Sequence, residues 1–560
     1  MALNESISGR LKATIPAGMV CHPEQPVFDN VSCRTVQEQW TNSSWHANDP
    51  SSSAYNDDAC LPNVSAPCST NGYPAYVIEA TNRLDVQRGV DFAKSTGVRL
   101  IVKGTGHDFL GRSSGPGSLS IWTHGIRGVK VNMHDFRARR YGGDASVKIA
   151  AGMRWFEIYN EAAKYNLTIV GGSDMNVGIG GWILGGGHGS VSSRYGLGAD
   201  QILEMEVITA GGQYHIINER CENDLFWAMR GGGGSTFAIL LSVTMKAYPS
   251  ISGTEYAFDF NTTADSDTFW SLAPYFHSQI PSLSESGAMG EYMLTANGTP
   301  SGYADQLPGG LSASAAVGRL VGKLRFPGQT REQVKGIMGP VEAAIRTSDW
   351  SVDNVLTSGS VSRISDFTTS ILGGNVQAVG IDGRLGSWLL DEPALKGNFK
   401  MLKRALRTSS PQPFPMLGYL VAGPGVRKAQ IPGGGNAVNP AWRRAYAHVV
   451  LVRVWPALND TAKGVLVRSL REEAVPALKE IAPASGAYLN EADPTNSDWQ
   501  KDFYGENYPR LLDIKKKWDP EGVFWCKPCV GHDLWEVKKE NDDSDPVEWG
   551  IGQGPVPYGL

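Results

Sequence analysis

Strand-period and helix-period runs of apolar residues follow one another as far as Pro249. Tyr76-Val-Ile-Glu-Ala80 has the spacing of a strand, and Asn82 is placed to cap a helix whose apolar positions include Val86, Val90 and Ala93. Gly97 closes that helix, and Val98 to Val102 predicts the strand that completes a β-α-β unit. A second unit follows, with a strand over Ser146 to Ala150, a helix over Trp155 to Tyr165 and a strand over Leu167 to Val170. Further strands are predicted over Ile202 to Thr209 and Tyr214 to Ile217, joined by the turn Gly211-Gly212.

Two glycine-rich loops leave these units at the strand ends, where α/β proteins usually place ligands. The first runs Lys103-Gly104-Thr105-Gly106-His107-Asp108 and on to Gly111-Arg-Ser-Ser-Gly115, so small residues surround one imidazole where backbone can approach a phosphate. The second runs from Gly171 to Gly181 and continues through Gly185-Gly-Gly-His-Gly189 to Tyr195-Gly-Leu-Gly-Ala-Asp200. A flexible linker does not interleave Val177, Ile179, Trp182, Ile183 and Leu184 with its glycines. Backbone pressed against a flat ligand accounts for that mixture.

The texture changes after Pro249. Residues 251–480 read as a separate domain over the ligand, with strands at Gly418 to Ala422 and His448 to Trp455 and a long helix over Thr461 to Ile481. Residues 481–535 mix aromatic and polar side chains, contain a helix over Pro509 to Trp518, and form a C-terminal segment distinct from the first domain, 72–250. The tail, 536–560, is acidic and rich in Pro and Gly, and is expected to be extended or disordered.

Composition narrows the function. With 560 residues, 41% hydrophobic and 19% charged, the chain has ordinary globular composition and length for two or more domains. Its formal net charge of -5 and lack of long Lys/Arg blocks argue against nucleic acid or an anionic membrane as partner, which leaves small molecules. No apolar run has the length to span a bilayer. Cys21, Cys33, Cys60 and Cys68 crowd into an arm, 1–71, that has little core of its own. Sequons begin at Asn4, Asn30, Asn42, Asn63, Asn166, Asn261, Asn297 and Asn459. Together these predict a secreted, N-glycosylated protein whose signal peptide has been removed, since Met1-Ala-Leu-Asn has none of a signal's character. Seven cysteines leave at least one thiol free or paired between chains. Cys526-Lys-Pro-Cys529 lacks a thioredoxin-like context and reads as structural.

Four ordered motifs carry a family resemblance. They are Lys103 to Phe109, Val177 to Gly189, Asp224 to Gly234 and Tyr488-Leu-Asn-Glu-Ala-Asp-Pro494. Together they resemble the FAD-linked oxidoreductases of the vanillyl-alcohol oxidase class, with a PCMH-type FAD-binding domain, and within it the berberine-bridge-enzyme-like secreted fungal oxidases, such as isoamyl alcohol oxidase-like proteins. The resemblance implies an α+β fold: a two-part FAD-binding domain, a substrate domain with an antiparallel sheet covered by helices, and a C-terminal segment that returns to the flavin.

Carried over by position, His107 matches the histidine bonded to the flavin 8α-methyl group, and Gly104, Thr105, Gly106 and Asp108 match the pyrophosphate loop, with Lys103 beside it. Ser113, Gly172, Gly178, Gly180, Gly181, Gly187, His188, Tyr195 and Val207 are read as further cofactor contacts. Many relatives make a second flavin link through a cysteine at the position that is Asp174 here. A carboxylate cannot form a thioether, so FAD is expected to be monocovalent, through His107. One link leaves a weaker oxidant than two, which suits easily oxidised substrates. The resemblance places Val177 at the position that gates oxygen, where valine accompanies oxidase behaviour and peroxide release.

The chemistry requires a hydride sent to flavin N5 and a base for the substrate proton. Tyr488 and Tyr419 are the candidate bases, with His448 and Asp174 behind them, and either tyrosine needs a neighbouring cation or the flavin to activate it. Asn490, two residues beyond Tyr488, is expected on the same strand face and in contact with the flavin. His188 and His124 have no His-x-x-x-His spacing or carboxylate cluster, so no metal is expected. No Gly-x-Ser-x-Gly elbow supports a hydrolase. The sequence therefore predicts a secreted flavoprotein oxidase acting on an alcohol or similarly activated small molecule, with oxygen as acceptor. Its rivals are a biosynthetic dehydrogenase or cyclase of a natural product and a flavin-retaining binding protein without turnover.

Overall fold

Leu3 and Ile7, at the very start of the chain, pack against Ile78, Val86 and Val90 in the core of the first sheet. The structure, a computed structural model, describes residues 2–53, 59–263, 265–296, 317–347, 356–364, 379–411, 413–536 and 556–557. The first sheet contains β1 (Leu11–Ala13), β2 (Tyr76–Glu79), β3 (Leu100–Lys103) and β4 (Leu119–Trp122), in the order β1-β2-β4-β3. The predicted β-α-β unit forms, but β4 lies between its two strands and parallel to both. Asn82 accepts from the backbone of Leu84 and Asp85 at the head of helix Arg83–Thr96, and Gly97 ends it at φ 68°. Because β1 pairs with β2, the N-terminal arm adds a strand to this sheet.

A second sheet stands beside it. β5 (Val129–Asn132), β6 (Ala145–Ala150), β7 (Leu167–Thr168), β8 (Ile202–Thr209), β9 (Tyr214–Asn218) and β10 (Ala238–Pro249) assemble as β5-β6-β10-β8-β9, with β7 also on β10. Every pairing is antiparallel, so the second predicted unit does not repeat the parallel arrangement of the first. β10 is buried along almost its whole length. Its opening Ala238-Ile-Leu-Leu241 is continuously apolar, and the alternation of Ser242 to Ala247 is buried on both faces.

The remaining strands form one antiparallel sheet. These are β11 (Gly253–Thr263), β12 (Met289–Thr295), β13 (Val317–Pro327), β14 (Leu356–Ile364), β15 (Gly383–Asp391), β16 (Met416–Leu420) and β17 (Ala445–Val454), in the order β14-β11-β13-β12-β16-β17-β15. On β11, Tyr256, Phe258 and Phe260 are buried, and Phe258 and Phe260 pack against Phe276 of helix Phe269–Glu285. Glu255, Ala257 and Asp259, which alternate with them, point to the opposite face. The long helix after Thr461 is made of Asp460–Ser469 and Val475–Ile481 joined by a π turn at Leu470–Ala474.

The C-terminal segment closes back on the first domain. Lys515, on helix Tyr508–Trp518, is buried and donates to the Thr236 carbonyl at 2.7 Å and to Asp519 at 2.6 Å. Disulfides join Cys21 to Cys33, Cys60 to Cys68 and Cys526 to Cys529, and Cys221 is an exposed free thiol. The sequon residues Asn30, Asn42, Asn63, Asn166 and Asn459 are exposed. Asn297 and most of the acidic tail lie outside the described residues. Among the described residues no helix is long and apolar enough to cross a membrane.

Candidate active site

A cavity of about 880 Å³ lies where the two glycine loops meet the third sheet. Gly104, Thr105, Gly106, His107, Asp108 and Ser113 form its first wall. Gly106 is forced by geometry, with φ 85° and a Cβ position 3.0 Å from the Ser52 carbonyl. At Gly104 a Cβ meets nothing within 4 Å, so that glycine leaves open room. The His107 ring is buried and its Nε2 has no hydrogen-bond partner. Burial pushes this imidazole down, against the opposing charge of Asp174, and so keeps it neutral. Lys103 is not on the wall. Its ammonium donates to the Asp49 carbonyl under the N-terminal arm, where burial lowers it to about 8.

Gly172, Asp174, Val177, Gly178, Gly180, Gly181 and His188 form the second wall. The Gly178 N–H donates to Thr105 Oγ1 at 3.1 Å and ties the loops together. A Cβ at Gly181, in helix Ile179–Leu184, also meets nothing within 4 Å. Gly187, Tyr195 and Val207 do not reach the cavity, contrary to the sequence expectation. Gly187 is pressed against the Trp182 ring, Tyr195 stacks on Tyr248 at 3.9 Å, and Val207 is core on β8.

The third wall contains Tyr419, Tyr488, Asn490 and Glu491, above a sheet face that is apolar at Leu385, Leu417, Val450 and Val452 and charged at Glu255, Glu291, Lys323, Arg325 and Arg363. Residues Leu489–Glu491 are a 3-10 turn, not a strand, so Asn490 reaches Tyr488 by folding back. Its Nδ2 donates to the Tyr488 oxygen at 2.9 Å and to the Gly181 carbonyl at 3.1 Å. Its Oδ1 accepts from Arg112 at 3.1 Å, and Asp108 holds that guanidinium at 2.5 Å. Arg112 and Glu491 were missed by sequence reasoning. Each sits inside a motif that was singled out, four residues after Asp108 and one after Asn490.

His448 lies on β17 directly across from Tyr419, behind the wall rather than on it. It donates from Nε2 to Glu491 at 2.6 Å, and His188 Nε2 lies 3.3 Å from the same oxygen. His188 therefore does have a carboxylate neighbour, which sequence spacing could not show. The three ligand-type atoms fall within 4.8 Å of one another, and two N–H···O bonds account for that closeness.

Residues 74–218 match the family of FAD binding domains, and residues 487–531 match the family described as berberine and berberine like. The chain is 32% identical over 558 residues to the VAO-type flavoprotein oxidase VAO615 of Thermothelomyces thermophilus, covering 96% of this chain and 91% of that protein. The chain belongs to the FAD-linked oxidoreductases of the vanillyl-alcohol oxidase type. This flavoprotein is also 32% identical over 556 residues to the bifunctional decalin synthase calF of Penicillium decumbens, covering 95% of this chain and 91% of that one. Among solved structures it is similar to the VAO-type flavoprotein MtVAO713 from Myceliophthora thermophila, with a TM-score of 0.87 and 27% identity over 99% of this chain and 96% of that one. The site fits FAD on its own terms: Gly104 and Gly181 leave room along the walls, and the unpartnered His107 nitrogen is buried beside them.

Proposed function

We propose that this FAD-dependent oxidoreductase is a secreted oxidase. It holds its flavin by one covalent bond, to His107, and oxidises an alcohol or similarly activated small molecule with oxygen as acceptor and hydrogen peroxide as product. The observation that carries this reading is the buried, neutral His107 imidazole with an unpartnered Nε2 on the cavity loop, set against Asp174 where a second link would need a thiol. Bound FAD supplies the acceptor for a hydride from substrate carbon.

The chain's own residues do the rest. Gly104, Thr105, Gly106 and Ser113 offer backbone and hydroxyl groups for phosphate, and Gly180 and Gly181 offer a flat surface. Leu385, Leu417, Val450 and Val452 receive the apolar body of the substrate and exclude water. Burial raises the Tyr488 phenol although Asn490, the Gly187 backbone and Arg112 all oppose the rise. Tyr488 therefore keeps its proton and donates O–H to a substrate oxygen, a change from its expected part as base. Val177 faces the cavity at the position linked to oxygen access, and the oxidase named among the relatives supports oxygen as acceptor.

Secretion is supported by the two disulfides of the N-terminal arm and by the exposed sequons, which carry N-glycans in this reading. Substrate and oxygen are the small-molecule partners, with neither nucleic acid nor membrane involved. A second reading, biosynthetic oxidation or cyclisation of a natural product, is favoured by the decalin synthase among the relatives. Peroxide release with alcohols, sugars and polycyclic natural products separates the two. Release of all flavin from acid-precipitated protein refutes the covalent bond.

A further inference from the structure

Glu491 sets one carboxylate oxygen between two imidazoles, at 2.6 Å from His448 Nε2 and 3.3 Å from His188 Nε2. Burial alone raises a carboxyl group, but the two rings outweigh it here and hold Glu491 well below the usual carboxylate range. An ionised carboxylate only accepts hydrogen bonds, so each ring donates to it from Nε2, and on His188 the nitrogen left for a substrate is Nδ1. The rings differ in placement. His448 is fully buried behind the cavity wall, whereas His188 is on the wall and its side chain is 11% exposed. The rings of Tyr488, Tyr419 and Trp442 box in His188 at centroid distances of 5.0, 5.7 and 5.9 Å, and its carbonyl accepts from Trp182 Nε1 at 3.0 Å.

We propose that His188 is the base that takes the substrate's hydroxyl proton, with Glu491 and His448 as the residues that position it. The inference rests on the alcohol-oxidising reading above. In the step, the O–H proton moves to His188 Nδ1 and the O–H electron pair becomes the second bond of C=O. The C–H hydrogen leaves with both its electrons as hydride to bound FAD, so two electrons and two hydrogen nuclei leave the substrate. Ionised Glu491 offsets the charge that appears on the His188 ring, as a buried carboxylate does for the histidine of a catalytic triad. Tyr488, which keeps its proton, orients the same substrate oxygen.

Two-bond proton–nitrogen spectra of the holoenzyme labelled with ¹⁵N-histidine, assigned through H188Q and H448Q, read the tautomers directly. At pH 7 His188 is expected to carry its proton on Nε2 with Nδ1 bare, and E491Q is expected to lose that preference while its circular dichroism stays that of the wild type. A proton on His188 Nδ1 in the wild type overturns the proposal, because the basic nitrogen is then occupied. In anaerobic stopped flow with benzyl alcohol and a set of primary alcohols as probes, H188Q is expected to reduce its flavin about 100-fold or more slowly than wild type. Equal rates overturn the assignment. If no probe reduces the wild-type flavin, the alcohol reading fails, and the tautomer measurement still decides for or against His188. Stoichiometric binding of zinc alone, lost in H188Q, makes the cluster a metal site and also overturns the proposal.

Discussion

Arg112 and Asn490 stand 378 residues apart in sequence and 3.1 Å apart in space. Through this bond the first glycine loop, by way of Asp108, sets the side chain that holds the Tyr488 oxygen. Asp108 outweighs the penalty of burial and raises the Arg112 guanidinium above its ordinary value, so the pair is charged. Arg112→Met leaves the largely buried Asp108 carboxylate without its cation, and breaking such a pair costs about 3 kcal/mol. Urea unfolding is expected to show that loss, with Arg112→Lys intermediate because it keeps the charge but not the fork. A wild-type midpoint for Arg112→Met refutes the clamp.

Two glycines separate cofactor room from fold. Gly181 lies mid-helix with no atom within 4 Å of a Cβ, whereas a Cβ at Gly189 falls 1.7 Å from the Gly171 carbonyl oxygen. Gly181→Ala is expected to fold with the circular dichroism of the wild type, since alanine favours the helix by about 0.5–1 kcal/mol, yet to carry less flavin per chain. Gly189→Ala is expected to accumulate little folded protein. Flavin-to-protein absorbance ratios and soluble yield measure both, and full flavin content in Gly181→Ala removes that glycine from the cofactor surface.

Lys103 gives a pH dependence of definite sign. Burial lowers its ammonium from 10.5 to about 8 in the folded chain. Between those values the unfolded chain holds the proton and the folded chain does not, so unfolding becomes harder as pH rises. Wild type is expected to gain up to roughly 3 kcal/mol relative to Lys103→Met from pH 8 to 10.5. Chemical unfolding across that window checks it, and parallel curves for the two proteins exclude a lowered Lys103 ammonium.

The glycine loops, the Asn82 cap and the strand β8 were legible because their signals are local: positive φ, a capping side chain, a run between turns. β10 was not, because its opening Ala238-Ile-Leu-Leu241 is continuously apolar and follows directly on a glycine run. The site divides the same way. His107, Asp174 and Tyr488, singled out by motif position, line the cavity, but the Glu491 bridge between His188 and His448 joins residues from a glycine loop, the C-terminal segment and β17, and only the third dimension brings them together. Tyr195 and Val207 lie off the cavity because sequence proximity to a loop does not say which face a residue takes.

Asp174 offers the last test, because it stands where the resemblance puts a second flavin link. It lies on the cavity wall, and its Oδ1 accepts from the Asn176 backbone at 2.8 Å, which holds the turn. His107→Ala is expected to keep the fold, since the imidazole Nε2 bonds nothing else, and to lose all flavin on acid precipitation. His107→Ala combined with Asp174→Cys restores a thiol at that turn, and acid-stable flavin is expected to return, with a changed absorbance spectrum. Mass spectrometry of flavin-bearing peptides locates each bond. If His107→Ala alone keeps acid-stable flavin, the tether is another residue. If the double variant stays free of covalent flavin, the residue at 174 does not face the flavin ring.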